Sequence, residues 1–327
     1  MKYITLTIFA FLWFLGFSEH FAKWLSENSI TPNDYRYGDL YRMSNLAQFK
    51  VPVEQCETPQ RSPSRNIALV ILGDSFTEKE RIEKNHFKGL ATYQRFFISD
   101  TTQLKLDKSK RNILIIETVE RHVRERFALP YKNLQITDSK VVKDRKVSEI
   151  FIQKALNYEV SYNTERHEAL LFSSDYFLIF KEWKAWINWE IFGRLDKKVL
   201  LSKDQKHLLY QLDAQPSGIN SCFDNVSESE IKTIVQHINI TNGFYRKVGF
   251  DEVYLSIIPN KTSIVASDLG EYNNIIERIQ QDSSLKMHFI DVYSAFKKSD
   301  KALYEVGDSH WNCAGKQIWV NTINANM

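Results

Sequence analysis

Three short apolar runs constrain the fold of this 327-residue chain more than any other feature. They are Ile67-Ala68-Leu69-Val70-Ile71, Asn112-Ile113-Leu114-Ile115-Ile116-Glu117 and Glu252-Val253-Tyr254-Leu255-Ser256-Ile257-Ile258. Runs this short, continuous and rich in β-branched residues read as strands buried on both faces, the condition of a parallel sheet covered by helices. Phe96-Phe97-Ile98 and His288-Phe289-Ile290-Asp291-Val292 read as two further short strands. Helical patterns are expected between them: from about Lys79 towards Phe87, in a charged turn from Val119 to Arg126, from Asn225 to Val248, and from about Leu269 to Gln281. This alternation predicts an α/β fold with a central parallel sheet and right-handed crossovers.

The first strand runs into Leu72-Gly73-Asp74-Ser75-Phe76-Thr77. Gly73 is expected to supply a backbone conformation closed to other residues. Ser75 then falls just past the C-terminal edge of a strand, where open α/β sheets hold their ligands and reactive groups. A serine in that place is usually a helix cap; as a nucleophile it needs a base. Asp308-Ser309-His310-Trp311 provides one. With Asp and His two apart on a loop, the carboxylate can reach the imidazole Nδ1–H, which fixes the tautomer and leaves Nε2 to face a hydroxyl. The competing reading of His310 is a surface histidine near a helix start at Asn312. Taken together, Ser75 as nucleophile, His310 as base and Asp308 as orienter make a triad.

The rest of the chain divides around this core. An apolar run from Tyr3 to Phe17 follows Met1-Lys2. One lysine ahead of so short a run fits a signal anchor (residues 1–25), with cleavage as a signal peptide or a buried helix as the alternatives. A full membrane span takes about 20 residues. Residues 26–65 form a polar, extended lead-in with the aromatic-basic cluster Tyr35 to Arg42, expected to strap onto the domain surface. Residues 66–327 form the main domain, interrupted at about 127–225 by an insertion. In it, Lys146–Leu156 and the Trp- and Phe-rich Ala169–Phe192 read as helices, Lys197–Gly218 as polar and turn-rich, and the whole as a cap or partner surface.

The function classes excluded are nucleic-acid binding, since a net charge of +3 comes with no basic run or motif, and metal or nucleotide chemistry. The eight histidines are scattered, and no glycine-rich phosphate loop is present. No metal and no cofactor are therefore expected. Cys56, Cys222 and Cys313 match no zinc spacing; either two of them pair or all three stay reduced.

Four stretches carry a family resemblance: Gly73-Asp74-Ser75-Phe76, Glu117-Thr118-Val119-Glu120-Arg121, Ile258-Pro259-Asn260-Lys261 and Asp308-Ser309-His310-Trp311. Over about residues 66–320 the chain resembles the SGNH hydrolase superfamily. Within it, it is similar to the membrane-associated O-acetyltransferase relatives of the alginate acetylation proteins AlgJ and AlgX. There the Asp-His block precedes the serine block; here it follows, as in ordinary SGNH enzymes.

The resemblance implies a three-layer α/β/α sandwich and an acyl-enzyme on Ser75. It implies transfer of an acetyl group to a cell-surface or secreted polysaccharide, with a multi-pass membrane acyltransferase as acetyl donor. The protein would then be membrane-anchored and extracytoplasmic. A carbohydrate esterase with the same triad, or a non-catalytic scaffold subunit of an envelope polysaccharide machine, are the alternatives. The Ser75 N–H would help bind the oxyanion. Arg121 is the candidate further donor, unless it pairs with Glu117 or Glu120. Asp74 is expected to shape the turn, Asn260 and Lys261 to line the same sheet edge or serve as plain loop residues, and Trp311 to pack behind His310 or stack on a sugar ring.

Overall fold

The computed structural model describes residues 2–16 (the backbone alone for 12–16), 35–60, 63, 65–137 and 175–327. The chain forms two compact units: Met1–Pro52 with Lys143–Asp196, and Val53–Val142 with Lys197–Met327. Of the expected insertion at 127–225, the stretch from Lys197 onward thus belongs to the second unit. The Lys146–Leu156 helix and the start of the Ala169–Phe192 helix lie outside the described residues.

In the first unit the described helices are α1 (Lys2–Gly16), α2 (Asp39–Ser44) and α3 (Asp175–Glu190). The aromatic-basic cluster engages α3 through its carboxylates. Tyr41 donates to Glu182 at 2.6 Å, and Lys50 pairs with the same group at 2.9 Å. Arg36 and Tyr37 both donate to Asp175 at 3.0 Å. The 15 residues of α1 rise about 22 Å, against about 30 Å of bilayer hydrocarbon. Among the described residues no helix is long and apolar enough to cross a membrane.

The second unit is built on a five-stranded sheet: β1 (Ile67–Gly73), β2 (Leu90–Phe97), β3 (Arg111–Val119), β4 (Glu252–Ile258) and β5 (His288–Ile290). All neighbours run parallel, in the order β2-β1-β3-β4-β5. The register pairs Leu69 with both Tyr93 and Ile113, and Ile116 with Leu255. The three central strands are the three apolar runs, buried almost throughout. Their side chains alternate between two cores, as a pleated strand requires. Val70, Leu72, Leu114, Ile116, Leu255 and Ile257 face one core, shared with α4 (Glu228–Lys247) and α5 (Ile275–Gln281). Leu69, Ile71, Ile113, Ile115 and Tyr254 face the other core, shared with α6 (Cys313–Asn326).

Local chemistry explains the helices. On α4, Ile231, Ile234, Val235, Ile238 and Tyr245 make one buried stripe. Ser227 caps its first turn by accepting from the Glu230 N–H at 3.1 Å, and Arg246 and Lys247 face the negative end of its dipole. On α6, Asn312 caps by accepting from the Gly315 N–H at 3.0 Å. The wholly buried Trp319 donates its indole N–H to Ser256 Oγ at 2.9 Å. A disulfide joins Cys56 to Cys313 at the start of α6, with Cα atoms 5.3 Å apart; Cys222 is free and buried.

Three expectations need correction. No α-helix forms between Lys79 and Phe87; the segment holds turns and one 3-10 turn, Lys84–His86. Ile82 and Phe87 are its buried anchors, and five residues apart they share no helical face. Side chains also take over its polar groups, with the Glu83 N–H donating to His86 Nδ1 at 3.0 Å. The strand seen at Phe96–Ile98 begins earlier, at Leu90. It is an edge strand of half-buried, mixed residues, so its first part carries no apolar run. The turn-rich Lys197–Gly218 folds into an antiparallel ribbon, Val199–Leu201 with Leu208–Tyr210, followed by a helical turn, Gln211–Ala214.

Candidate active site

The order 2-1-3-4-5 places the sheet's switch point between β1 and β3, the position where doubly wound sheets leave a crevice at the strand ends. Ser75 emerges there from β1, at the head of a 3-10 turn, Ser75–Thr77. Three ionisable side chains build that turn. Asp74 accepts from the Phe76 N–H at 3.3 Å and from the Val119 N–H at 3.0 Å, tying the end of β1 to the end of β3. Glu117 accepts from the Asp74 N–H at 3.0 Å and from Thr77 Oγ1 at 2.9 Å. Arg95, on β2, donates to the carbonyls of Gly73 and Asp74.

Gly73 does not have the positive φ expected of it. Its reason is space: a Cβ there would collide with Thr77 Oγ1 and the Glu117 carboxyl. Burial, reinforced by the neighbouring Asp74 charge, pushes the Glu117 carboxyl well above its ordinary range. Under the Ser75 turn, the charged form of Glu117 is therefore disfavoured.

The structure brings Ser75, His310 and Asp308 together across 235 residues of chain. Ser75 Oγ lies 2.7 Å from His310 Nε2, and His310 Nδ1 lies 2.5 Å from Asp308 Oδ1. A carboxylate only accepts, so Nδ1 carries the proton and Nε2 is left to accept from the serine hydroxyl. Asp308 Oδ1 also accepts from the His310 N–H at 2.9 Å, while Arg81 stands 4.0 Å from Oδ2. Burial opposes the Asp308 charge, but its hydrogen bonds from His310 and the nearby Arg81 charge outweigh that and hold it below the usual carboxylate range. Phe76 packs on the imidazole with ring centres 4.6 Å apart, and Trp311 meets Phe76 edge-on at 5.0 Å. At 3% exposure Trp311 is core behind the base, not a platform for a sugar.

The other candidates are placed differently. Asp74 has both carboxylate oxygens engaged by backbone amides, so it shapes the turn. Arg121 pairs with neither Glu117 nor Glu120 but with the buried Asp213, at 2.7 and 3.0 Å, and its guanidinium lies over the Tyr210 ring. That partner comes from the helical turn after the ribbon, a segment assigned to the insertion on sequence alone. Glu120 is buried instead against the helical turn that follows β4. Burial raises it to about 7, against hydrogen bonds from the Asn260 N–H and Ser263.

Asn260 accepts from the Arg121 N–H at 3.2 Å, and its buried Nδ2 has no partner among the described residues. Lys261 is no plain loop residue: its Nζ donates to the carbonyls of Glu305, Val306 and Asp308. Arg81 and Arg95 escaped the sequence reading as parts of this site, and Lys261 was placed at its edge without its carbonyl partners. Two of them bind carbonyls, which every residue type has, so no local pattern marks their targets.

Compared with protein-family models, with curated proteins and with solved structures, the chain matches none.

Proposed function

We propose that the protein is a serine-dependent O-acyltransferase of the SGNH type, which moves an acetyl group onto a hydroxyl of a cell-surface or secreted polysaccharide. The observation that carries this reading is the hydrogen-bonded chain Ser75–His310–Asp308 at the C-terminal edge of a parallel sheet. Its chemistry is acyl transfer. His310 Nε2 takes the proton of Ser75 Oγ as the oxygen attacks an acyl carbonyl. The tetrahedral oxyanion is met by the Ser75 N–H, and its collapse expels the donor oxygen, to which His310 returns the proton. The acyl-serine then reacts with a sugar hydroxyl that His310 deprotonates, and Ser75 regains its hydrogen. Throughout, Asp308 holds the tautomer and balances the imidazolium. Arg121, neutralised by Asp213, is given no oxyanion role in this scheme.

The acceptor and donor belong to the same proposal: a polysaccharide as acceptor and a multi-pass membrane acyltransferase as acetyl source. An extracytoplasmic location is supported by the Cys56–Cys313 disulfide, a bond favoured in oxidising compartments. The apolar α1 behind Lys2 serves as the export signal.

The test is incubation of the full chain, in mild detergent, with p-nitrophenyl acetate and a sugar oligomer, followed by mass spectrometry of both. Ser75→Ala is the control. An acetyl group on Ser75 that then appears on the oligomer is the expected result. Acetyl-Ser75 that ends only in free acetate makes the protein an esterase, and no acetylation of Ser75 refutes the acyl-enzyme.

A further inference from the structure

Two members of the triad sit on irregular chain. Tyr304 and Trp311 form an isolated antiparallel bridge, and residues 305–310 between them are bends without helix or strand. Within this turn the Glu305 N–H donates to the His310 carbonyl at 3.1 Å. The carbonyls of Glu305, Val306 and Asp308 converge on one atom, Lys261 Nζ, at 2.7, 3.0 and 3.1 Å. Lys261 is 2% exposed and begins the helical turn Lys261–Val265 beyond β4. Three acceptors match the three N–H groups of an ammonium; a neutral amine has only two. Carbonyl oxygens carry like partial charges, and a cation at their meeting point offsets that repulsion.

We infer that Lys261 is a positioning residue for the triad. Its ammonium gathers three carbonyls and so sets the curvature of the turn that carries Asp308 and His310 to Ser75. This rests on the acyl-enzyme reading of the site. Asp308 is then gripped twice, by His310 on its carboxylate and by Lys261 on its carbonyl. The grip starts from the end of a central strand whose register is fixed on both sides, between β3 and β5. Loss of the ammonium would leave three carbonyls crowded together without donors, and the turn would open. A displacement of about 1 Å at a reacting group costs on the order of 100-fold in rate. Groups that only bind substrate would be untouched, so kcat falls while KM stays.

The full chain in mild detergent tests this with Lys261→Met, which keeps the apolar stem and removes the donors. Three quantities are read: the burst rate of Ser75 acylation by p-nitrophenyl acetate from pH 5 to 9, its KM, and the low-field proton NMR signal of the His310 Nδ1–H held by Asp308. The expected result is folded protein with acylation about 10- to 100-fold slower, KM changed little, and the Nδ1–H signal broadened or lost. Lys261→Gln, which keeps two N–H donors, is expected to fall between Met and wild type, and it decides the matter if the Met variant does not fold. Wild-type burst rate with an intact Nδ1–H signal in the folded variants overturns the inference, as does a loss of rate that only tracks the unfolded fraction. If wild type itself fails to acylate Ser75, the acyl-enzyme reading falls. The NMR signal then still decides for Lys261: lost in the variant upholds it, unchanged overturns it.

Discussion

Replacing Glu117 by glutamine should make the fold more stable at neutral pH, by an amount that grows with pH. The carboxyl is wholly buried against the nucleophile turn, and Oε1 has no partner among the described residues. Only Oε2 is used, as acceptor from the Asp74 N–H and Thr77 Oγ1. A glutamine oxygen can accept both bonds, and its amide nitrogen takes the place of the idle oxygen. Glutamine is therefore an isostere of the neutral acid. The group's folded pKa lies well above its ordinary value of 4.5. Below that value both folded and unfolded chains hold the proton, and the contribution to stability is fully present. As pH rises above it, the unfolded chain ionises while the folded chain does not, and stability is lost at about 1.4 kcal/mol per pH unit up to the folded pKa. Glu117→Gln removes that loss. Urea unfolding of both proteins at pH 4.5, 5.5 and 6.5 should give a difference near zero at the lowest pH that widens at each step. Parallel pH profiles would refute the burial argument. Glu117→Ala is the contrast: it leaves the Asp74 N–H and the Thr77 hydroxyl unpaired and opens a cavity, at a cost of about 3–5 kcal/mol.

Asp308→Asn should leave the fold in place but slow Ser75 acylation by about 10⁴-fold, because an amide no longer dictates the Nδ1–H tautomer; stopped-flow acylation is the check, and a loss under tenfold refutes the role. The depressed Asp308 pKa stabilises the fold above its unfolded pKa, near 4, and that contribution is lost as pH falls further towards the folded value; acid titration of Asp308→Asn should lack this part of the wild-type loss. Reduction of Cys56–Cys313, or Cys56→Ser with Cys313→Ser, should cost about 2–4 kcal/mol by urea unfolding, and no change would show that the pair is not formed. Arg121→Met strands a buried charge on Asp213 and should cost about 3–5 kcal/mol, with Asp213→Asn in the same chain recovering most of it.

What could be read from the sequence follows physical range. The strand Glu252–Ile258 has the same bounds in the structure as in the sequence reading, because it is buried on both faces and Pro259 closes it. Half-burial at the sheet edge hid most of β2. Ser75 and His310 were legible separately, each from a local motif; that they meet is a property of the sheet order. Gly73 was rightly singled out for the wrong reason, since the atoms that exclude a Cβ come from Thr77 and from Glu117 on the neighbouring strand β3. The pairing of Arg121 with Asp213 joins two strand-end segments 92 residues apart. Nearer acids at Glu117 and Glu120 looked equally good until burial had committed them elsewhere. Lys261 was placed at the right sheet edge, but its role was hidden for the reason that makes it effective: its partners are main-chain oxygens.

The long separation between Ser75 and His310 also has a consequence in time. At synthesis rates of about 5–20 residues per second, the base is made roughly 10 to 50 s after the nucleophile. For most of that interval only β1, β2 and β3 of the sheet exist; β4 and Lys261 follow late in it, and the Asp308 turn and Cys313 come at its end. A growing chain therefore carries an ordinary serine hydroxyl. The Ser75–His310 contact forms only when the C-terminal segment docks, and the disulfide to Cys56, 257 residues upstream, can close only then. If the chain crosses a membrane as it is made, that contact is completed on the far side, where the proposed acyl acceptor lies.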